Sequence, residues 1–261
     1  MKIATWNVNS VKARLPNIIE WLRSAQPDVL LLQEIKVIDE NFPSLEFQDL
    51  GYNSAVHGQK AYNGVAILSK KPLTEIRTGL PDDEKDEQSR YIECCIKLDR
   101  NINLRISSIY LPNGNPVETD KFNYKIKWME RLISHAKSLL EKEELIILGG
   151  DYNVIPTDDD CYDPMIWNND ALGRPEIRSR FRTLVNLGFT EAWRSLHRET
   201  HVYSFWDYQA GAWQKDNGVR IDHLLLSPQA ADLLGNCEID KNPRGQKKAS
   251  DHTPVWCELR L

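Results

Sequence analysis

Polar residues stand at the ends of several apolar segments of this chain. The apolar run 145–148 leads through Gly149 and Gly150 to Asp151 and Asn153. Residues two apart on an extended segment share a face, so this carboxylate and amide are predicted to point the same way, with Tyr152 facing into packing. The two glycines are interpreted as permitting close backbone packing, with a plain turn as the alternative.

The same pattern recurs at five other segment ends. They carry Asn7 and Asn9, Glu34, Tyr110 and Asn113, Asp222, and Asp251 with His252. Strand ends hold such groups rigidly while loops leave them accessible, which predicts a functional site there.

These residues combine three kinds of chemistry. The carboxylates supply hard oxygen ligands, the amides supply neutral hydrogen-bonding groups, and the tyrosine, aspartate and histidine side chains supply proton-transfer partners. The sequence contains no cluster rich in histidine or cysteine, so Mg²⁺ or Mn²⁺ fits this set better than Zn²⁺. Each residue alone is more typical of a turn, a helix cap or a satisfied core position, so only the combination supports the prediction.

The acidic run at 158–160 is the most conspicuous local feature of the sequence. It follows Pro156 and Thr157. Adjacent carboxylates after such a pair are typical of a solvated turn or a helix cap. We therefore predict that this run takes no part in the metal site.

Composition limits the class of protein. The 261 residues carry a net charge of −5 and five cysteines, without a CxxC pair, which predicts reduced thiols in a cytoplasmic protein. Neither a long apolar run nor a signal-peptide pattern is present, so no membrane association is expected. The acidic charge argues against a uniformly basic nucleic-acid surface, although a local basic face or a bound metal could coexist with it.

Hydrophobic periodicity predicts strands and helices along the whole length. Strands are expected at 2–8, 29–32, 52–56, 64–68, 91–98, 104–111, 145–148, 203–206, 221–226 and 255–259, and helices at 15–22, 126–140 and 176–187. We predict one α/β domain over 1–261, a four-layered α/β sandwich of two mixed sheets packed face to face and flanked by helices, with a strand–helix–strand unit repeated in the two halves. A doubly wound parallel sheet is the rival, weakened by hairpin-like strand pairs and by the lack of a glycine-rich loop.

Seven segments occur in a characteristic order. They are TWNVNS at 5–10, LQEIK at 32–36, YLPNG at 110–114, GDYNV at 150–154, FWDY at 205–208, GVRIDH at 218–223 and SDH at 250–252. Together they resemble the exonuclease III family of apurinic/apyrimidinic (AP) endonucleases, within the endonuclease/exonuclease/phosphatase superfamily. The resemblance covers residues 2 to 257, and the LPNG, FWDY and RIDHLL stretches narrow it to the DNA-repair branch.

The resemblance implies roles for the polar residues. Glu34 would be the principal Mg²⁺ ligand, and Asn7 would steady the metal site. Asp251 would be a further ligand or a group that supports the ligands. Asp151 would orient or deprotonate the attacking water, and Asn153 would bind a phosphate oxygen and help to hold Asp151.

His252 would donate to a non-bridging phosphate oxygen, and Asp222 would orient its ring. By the same resemblance, Asp151, Asn153 and His252 are counted with Asn7, Glu34 and Asp251 as the metal centre. The number of metal ions is open.

The resemblance also implies DNA contacts. Tyr110 would contact the scissile phosphate or act as a phenolate, and Asn113 would bind the DNA backbone. Phe205 would line a pocket for a flipped-out abasic sugar, whereas Trp206 is assigned to the core. Val219 stands where some relatives carry tryptophan, which puts a two-aromatic clamp in doubt; Tyr208 and Trp213 are the possible substitutes.

Basic residues could form a rim that binds DNA around the acidic centre. Lys36 and Arg174 are the members singled out for DNA binding, and the others are Lys60, Lys121, Arg178, Lys215, Arg220, Lys247 and Lys248. The segment 163–175 would contact DNA and tune abasic-site cleavage against 3′-end trimming. The alternative for each basic residue is a solvated surface charge.

The resemblance implies an enzyme. We expect a monomeric Mg²⁺-dependent phosphodiesterase, with Mn²⁺ able to substitute, that acts on double-stranded DNA. It would incise 5′ to abasic sites, leaving a 3′-hydroxyl, and remove 3′-blocking groups or nucleotides. The alternatives are a nonspecific nuclease, a sphingomyelin or inositol-phosphate phosphoesterase of the same superfamily, or a non-catalytic binding protein with this fold.

Overall fold

Two mixed β-sheets form the centre of the protein, seen in a computed structural model that describes residues 1–99 and 102–261. The strands are β1 (Lys2–Asn7), β2 (Val29–Gln33), β3 (Asn53–His57), β4 (Val65–Ser69), β5 (Leu73–Thr78), β6 (Tyr91–Asp99), β7 (Ile102–Tyr110), β8 (Leu145–Asp151), β9 (Thr190–Glu191), β10 (Asp222–Leu226), β11 (Leu234–Ile239) and β12 (Val255–Leu259). The α-helices are α1 (Val11–Ala25), α2 (Ser44–Gln48), α3 (Asp120–Leu140), α4 (Pro164–Trp167), α5 (Pro175–Asn186), α6 (Ala192–Leu196) and α7 (Pro228–Ala231). Short 3₁₀ turns lie at Asp39–Asn41, Asp158–Asp160 and Asn242–Gly245.

The two sheets have equivalent topologies. The strand order is β11-β12-β1-β2-β4-β3 in one and β5-β6-β7-β8-β10-β9 in the other. Each has one parallel central pair, β1 with β2 and β7 with β8, flanked by antiparallel pairs. A helix connects each parallel pair, α1 in the first sheet and α3 in the second. The predicted repeat of a strand–helix–strand unit is therefore confirmed.

Alternating side chains build the four layers. One face of each sheet contributes to a shared core, in which Ile3 and Leu31 of the first sheet pack with Ile106 and Ile147 of the second. The opposite face of the first sheet packs against α1 and α2, and that of the second against α3 and α5. The predicted four-layered sandwich is confirmed. None of the helices in the described ranges is long and apolar enough to cross a bilayer.

Local sequence signals set the helix ends. Ser10 accepts a hydrogen bond from the backbone N–H of Ala13 at the start of α1, and α1 ends at the left-handed Gln26 before Pro27. Thr119 caps α3 in the same way, through the backbone N–H of Lys121. Such caps satisfy backbone donors that the first turn leaves unpaired.

One predicted strand is wrong. Residues 203–206 do not form a ladder, and Phe205 makes only isolated bridges to Val219 and His252. The apolar residues of this segment are explained by burial of Tyr203 and Trp206 in a small cluster with Ala212. That burial confirms the core position predicted for Trp206, which is 0% exposed.

Candidate active site

The ends of three neighbouring strands place three polar side chains side by side. Tyr110 ends β7 and is in register with Asp151, which ends β8. Asp151 is in turn in register with Asp222, where β10 begins. In the other sheet, Asn7 at the end of β1 pairs with Gln33 at the end of β2. The groups collected from distant segments thus meet at one edge of the sandwich.

Two glycines allow β8 to approach its neighbours closely. A Cβ atom at Gly149 would lie 2.5 Å from Leu31 Cδ1 of the other sheet and 2.7 Å from Leu224 Cδ2. A Cβ atom at Gly150 would overlap the backbone carbonyl of Ile109. The predicted close packing is confirmed, and it brings Asp151 to the seam between the sheets.

His252 lies between two buried carboxylates. Its Nδ1 is 2.8 Å from Asp222 Oδ2, and its Nε2 is 3.7 Å from Asp151 Oδ2. Ser204 donates to the same Asp222 oxygen at 2.6 Å, while Asp222 Oδ1 is buried and has no hydrogen-bond partner among the residues that the structure describes. All three members of this acid–histidine–acid group are at most 4% exposed.

The surroundings shift the proton affinities of this group. Burial alone would lower the pKa of His252, but the carboxylates of Asp222 and Asp151 outweigh it and raise the pKa to about 10. Burial also raises the pKa of Asp151, with Asp222 adding to the effect and His252, Asn7 and the backbone N–H of Asn153 opposing it. A protonated imidazole beside a carboxyl with a raised pKa is an arrangement suited to proton transfer near neutral pH.

Asn7 connects the acid–histidine–acid group to Glu34. Its Nδ2 donates to Glu34 Oε1 and to Asp151 Oδ2, each at 2.9 Å. Lys36 Nζ lies 2.9 Å from Glu34 Oε2 and 2.6 Å from Asn9 Oδ1. Burial alone would raise the pKa of Glu34, but Lys36 and Asn7 outweigh it and lower the pKa.

Asp251 joins the same network through Asn9, whose Nδ2 donates to its Oδ1 at 3.1 Å. Glu34, Asn9 and Lys36 all have positive φ, at 51°, 44° and 57°. Non-glycine residues in this region are strained, and such strain concentrates at functional sites.

The donors around Glu34 fit a hard divalent cation. Carboxylate and amide oxygens are the ligands preferred by Mg²⁺. Glu34 already forms an ion pair with the positively charged Lys36. Within the described residues, the ligand atoms of Asp151, Asp222 and His252 also lie within 4.8 Å of one another. Because both nitrogens of His252 face carboxylates, its contacts favour a proton-donor role over the metal-ligand role.

Asn153 contacts both carboxylate oxygens of Asp151. Its backbone N–H donates to Asp151 Oδ1 at 2.9 Å, and its Nδ2 lies 3.3 Å from Oδ2. Asn113, an exposed residue, donates to Asn153 Oδ1 at 3.2 Å. Asp151 and Asn153 meet as predicted, but Asn153 has φ 47°, so a left-handed turn brings them together instead of the predicted extended segment. Tyr152 faces away and is buried, as predicted.

Tyr110 is a partly exposed phenol next to Glu34 and Asp151. Partial burial and these two carboxylates raise its pKa well above the usual value, which favours a neutral, hydrogen-donating phenol over the phenolate. The guanidinium of Arg90 lies 4.7 Å from the ring centroid, and Arg90 Nη1 donates to the Tyr110 carbonyl at 3.3 Å. Arg90 was not predicted, because nothing in the sequence links it to the LPNG segment.

Phe205 lies beside the acid–histidine–acid group, with its ring centroid 4.8 Å from that of His252. Together with Val219 and Trp167 it lines a recess of about 290 Å³. The two possible substitutes for a second aromatic wall lie elsewhere: Trp213 packs on Trp206 at 4.9 Å, and Tyr208 binds Arg14 and the Ala249 carbonyl. Trp167, from the segment 163–175, and Tyr162 are the further aromatic residues that line the recess.

Of the two alternatives predicted for Asp160, the solvated turn is wrong and the helix cap is confirmed, because Asp160 Oδ2 accepts the backbone N–H of Thr157 at 3.1 Å at the start of the 3₁₀ turn. The basic-rim position predicted for Arg220 is wrong. Asp160 is 1% exposed and Arg220 is also 1% exposed, so neither belongs to a solvated turn or a basic rim. Arg220 Nε lies 2.9 Å from Asp160 Oδ1, and Arg220 Nη1 lies 2.8 Å from Glu191 Oε1. Asp158 and Asp159 are exposed, as predicted.

Arg174 is the predicted site residue that joins none of these contacts. It precedes α5, and its described ion-pair partner is Glu176 at 3.1 Å. Ser204 and Lys125, by contrast, take part in the network without having been predicted. Both are buried, and a serine or lysine in an apolar stretch carries no sequence signal of such a role.

A two-sheet sandwich with carboxylates and a histidine at the seam defines a class of metal-dependent phosphodiesterases and phosphatases. Residues 4–252 match the family described as the Endonuclease/Exonuclease/phosphatase family. The chain belongs to that family.

Individual relatives are similar over their full lengths. Exodeoxyribonuclease III of Haemophilus influenzae is 32% identical over 268 residues, with 100% of both chains covered. An AP endonuclease of Archaeoglobus fulgidus has a TM-score of 0.94 at 33% identity, with 100% of both chains covered. NExo of Neisseria, described as a 3′-5′ exonuclease and, bound to a product DNA hairpin, as a 3′ phosphatase, has a TM-score of 0.95 at 36% identity and the same coverage.

Proposed function

We propose that the protein is a monomeric, cytoplasmic, Mg²⁺-dependent phosphodiesterase of DNA repair. It incises double-stranded DNA 5′ to abasic sites, leaving a 3′-hydroxyl, and removes 3′-blocking groups and 3′ nucleotides. The relatives described as exodeoxyribonuclease III, AP endonuclease and 3′ phosphatase support this activity.

The observation that carries the proposal is the environment of Asp151. The carboxyl is 1% exposed and receives Asn7 Nδ2 and the Asn153 backbone N–H at 2.9 Å each. Its raised pKa allows it to accept a proton from water at near-neutral pH. The water oxygen would bond to phosphorus while the bond from phosphorus to the 3′-oxygen breaks, and the departing 3′-oxygen would take up a proton from solvent to become the 3′-hydroxyl.

The neighbouring residues match the remaining needs of phosphodiester hydrolysis. His252, held protonated by Asp222, can donate to a non-bridging phosphate oxygen. Tyr110 can donate from a neutral phenol to the same phosphate. A Mg²⁺ ion held by Glu34, with Asn7 and Asp251 nearby, would supply a sink for the phosphoryl charge.

DNA would approach from the open side of this centre. Lys36 lies at its edge, paired with Glu34, and Asn113 lies at its edge, hydrogen-bonded to Asn153. The recess beside Phe205 could receive an abasic sugar. Local positive groups are compatible with the net charge of −5, because phosphate contacts depend on the local potential and less on the total charge.

The direct test is incision of a duplex with one tetrahydrofuran abasic analogue. Parallel reactions use a recessed undamaged 3′ end and a 3′-phosphate end, each with Mg²⁺ or with EDTA. Incision and 3′ trimming in Mg²⁺ but not in EDTA are expected. Absence of all three activities in Mg²⁺ would disprove the proposal.

Two further arms sharpen the result. Asp151→Asn keeps the shape of the side chain but removes the base, so activity should fall to background, whereas Asp159→Asn, at an exposed neighbour, should retain it. Inositol phosphates and sphingomyelin test the related phosphoesterase activities of the superfamily. Hydrolysis of those substrates without DNA cleavage would assign the chain to that alternative.

A further inference from the structure

Lys125 is a fully buried lysine in α3, at 0% exposure. Its Nζ donates to three backbone carbonyls: Asn113 at 3.0 Å, Asn153 at 2.6 Å and Ala171 at 2.9 Å. An ammonium group has three donors and no acceptor, so its hydrogen-bonding capacity is fully used. None of the ion pairs among the described residues includes Lys125.

The three carbonyls belong to three different loops. Asn113 lies in the loop after β7, Asn153 in the loop after β8, and Ala171 in the segment 163–175. The first two loops carry side chains of the candidate active site, and the third carries Trp167 of the adjacent recess. One side chain therefore links two loops that carry residues of the candidate active site to the segment that lines the adjacent recess.

Neighbouring contacts reinforce this link. Asn115 Nδ2 donates to both carboxylate oxygens of Asp170 at 3.1 Å, and its Oδ1 accepts the backbone N–H of Ala171, also at 3.1 Å. Gly114 leaves room for the lysine stem, because a Cβ atom there would lie 2.6 Å from Lys125 Cδ. The loop after β7 and the segment 163–175 are thus shaped around this side chain.

A buried charge without a carboxylate partner is unfavourable unless its hydrogen bonds are satisfied. Burial lowers the pKa of Lys125 to about 7, against the opposing charges of Asp151 and Asp170. Three hydrogen bonds to carbonyl oxygens need three donated protons, so the contacts favour the ammonium form. An apolar residue would fill the same space without this cost, but it could not hold the three carbonyls.

We propose that Lys125 is a positioning residue for the active site, which sets the backbone of Asn113, Asn153 and Ala171 at fixed distances so that Asn153 holds Asp151 in place. The inference rests on the proposed nuclease function and goes beyond the residues that touch substrate in it. Lys125 acts on the reaction through Asn153 and does not reach the phosphate itself.

The test compares Lys125→Met with Lys127→Met, which removes an exposed lysine from the same helix. At a temperature where both variants are fully folded by circular dichroism, Lys125→Met should lower kcat on the abasic duplex about 100-fold, the effect of a small misplacement of catalytic groups. KM should change less than about threefold, because few ground-state contacts are lost. Lys127→Met should match the wild type.

Two measurements separate positioning from a general structural role. Amide hydrogen exchange should accelerate in residues 111–116, 152–155 and 169–173 of Lys125→Met, and not in the strands of either sheet. Lys125→Arg, which keeps a charged donor, should be faster than Lys125→Met. The proposal would be overturned if Lys125→Met had the wild-type kcat, or if Lys125→Arg were no faster than Lys125→Met. It would also be overturned if hydrogen exchange accelerated throughout the protein, or if neither Lys125→Met nor Lys125→Arg folded.

Failure of the proposed function would be recognised separately. A wild-type protein without incision or 3′ trimming would remove the nuclease assignment. The hydrogen-exchange comparison needs no activity, so it would still decide whether Lys125 holds the three loops.

Discussion

His252 is the residue whose environment says most about the reaction. Each of its ring nitrogens faces a carboxylate, Asp222 at 2.8 Å and Asp151 at 3.7 Å. The raised pKa of His252 keeps the imidazole charged at neutral pH, and the raised pKa of Asp151 makes it a better base than an ordinary aspartate. The pair therefore predicts a bell-shaped pH dependence, with activity rising as Asp151 ionises and falling as His252 loses its proton near pH 10.

Replacing Asp222 tests this assignment. Asp222→Asn removes the largest charge that raises the pKa of His252, so the alkaline limb of the pH–rate profile should move to lower pH. We expect kcat at neutral pH to fall about 100-fold, as for loss of an acid–base group. The measurement is kcat against pH on the abasic duplex, with Asp232→Asn as an exposed control; an unmoved alkaline limb would contradict the assignment.

Glu34 should control the metal requirement. Glu34→Gln removes the carboxylate charge while keeping its size, so half-maximal activity should need at least about 10-fold more Mg²⁺. Activity is titrated against Mg²⁺ concentration, and binding is followed separately by calorimetry. Glu40→Gln, at an exposed position, should leave the titration unchanged, and an equal response of both variants would remove Glu34 from the metal site.

Sequence patterns located most of the site residues but not the groups that support them. Asp151, Asp222 and His252 could be found because carboxylates and a histidine at strand ends are unusual and fit a known family. Lys125, Arg90 and Ser204 could not be found, because they contact backbone atoms, an aromatic face or another side chain across long sequence separations. Such contacts depend on loop geometry, which residue spacing does not specify.

At the level of elements, a buried ion network connects the 3₁₀ turn 158–160 to the second sheet. Asp160 Oδ1 accepts from Arg220 Nε at 2.9 Å and from Arg194 Nη2 at 2.7 Å, and Arg220 also binds Glu191 of β9. Burial alone would raise the pKa of Asp160, but Arg220, Thr157 and Arg194 lower it to about 2. The turn that resembled a solvated acidic run is thus a structural anchor.

Asp160→Asn should destabilise the protein by about 3–5 kcal/mol, because it leaves the buried Arg220 charge short of a partner. Since the folded-state pKa of Asp160 lies below its unfolded value, the stabilisation is present above about pH 4 and is lost as the pH falls through about 2. Urea denaturation from neutral to acidic pH measures both effects. Asp159→Asn should change stability by less than about 0.5 kcal/mol, and an equal loss in both variants would contradict the network's role.

Elements with a clear apolar pattern were predicted well, and exposed ones were not. The helix expected at 176–187 lies at Pro175–Asn186, and the strand at 145–148 continues to Asp151. The strand β5 was missed because it is largely exposed and contains Glu75 and Arg77, and β11 because it contains Gly235 and Asn236. Their pairing with β6 and β12 determines these strands more than their own sequences do.

For the whole molecule, the shared core predicts cooperative behaviour. Both sheets contribute to one buried cluster, and the first sheet is completed by strands from the two ends of the described chain, β1 pairing with β12. We therefore expect residues 1–261 to unfold in one transition, as a single domain. Differential scanning calorimetry should give equal calorimetric and van't Hoff enthalpies, whereas two resolved transitions would indicate separate domains.

The repeated strand–helix–strand unit determines how the reaction is shared along the chain. The two strands of the first unit end at Asn7 and immediately before Glu34, and those of the second unit end at Tyr110 and Asp151. His252 lies outside both units. A cut in the exposed residues 82–85 would place Glu34, the proposed cation ligand, and Asp151, the proposed base, on different fragments. Each fragment alone should be inactive, because it lacks residues that the other fragment supplies. Nuclease activity should return only when the two fragments reassemble, so activity would measure how much of the complex has formed.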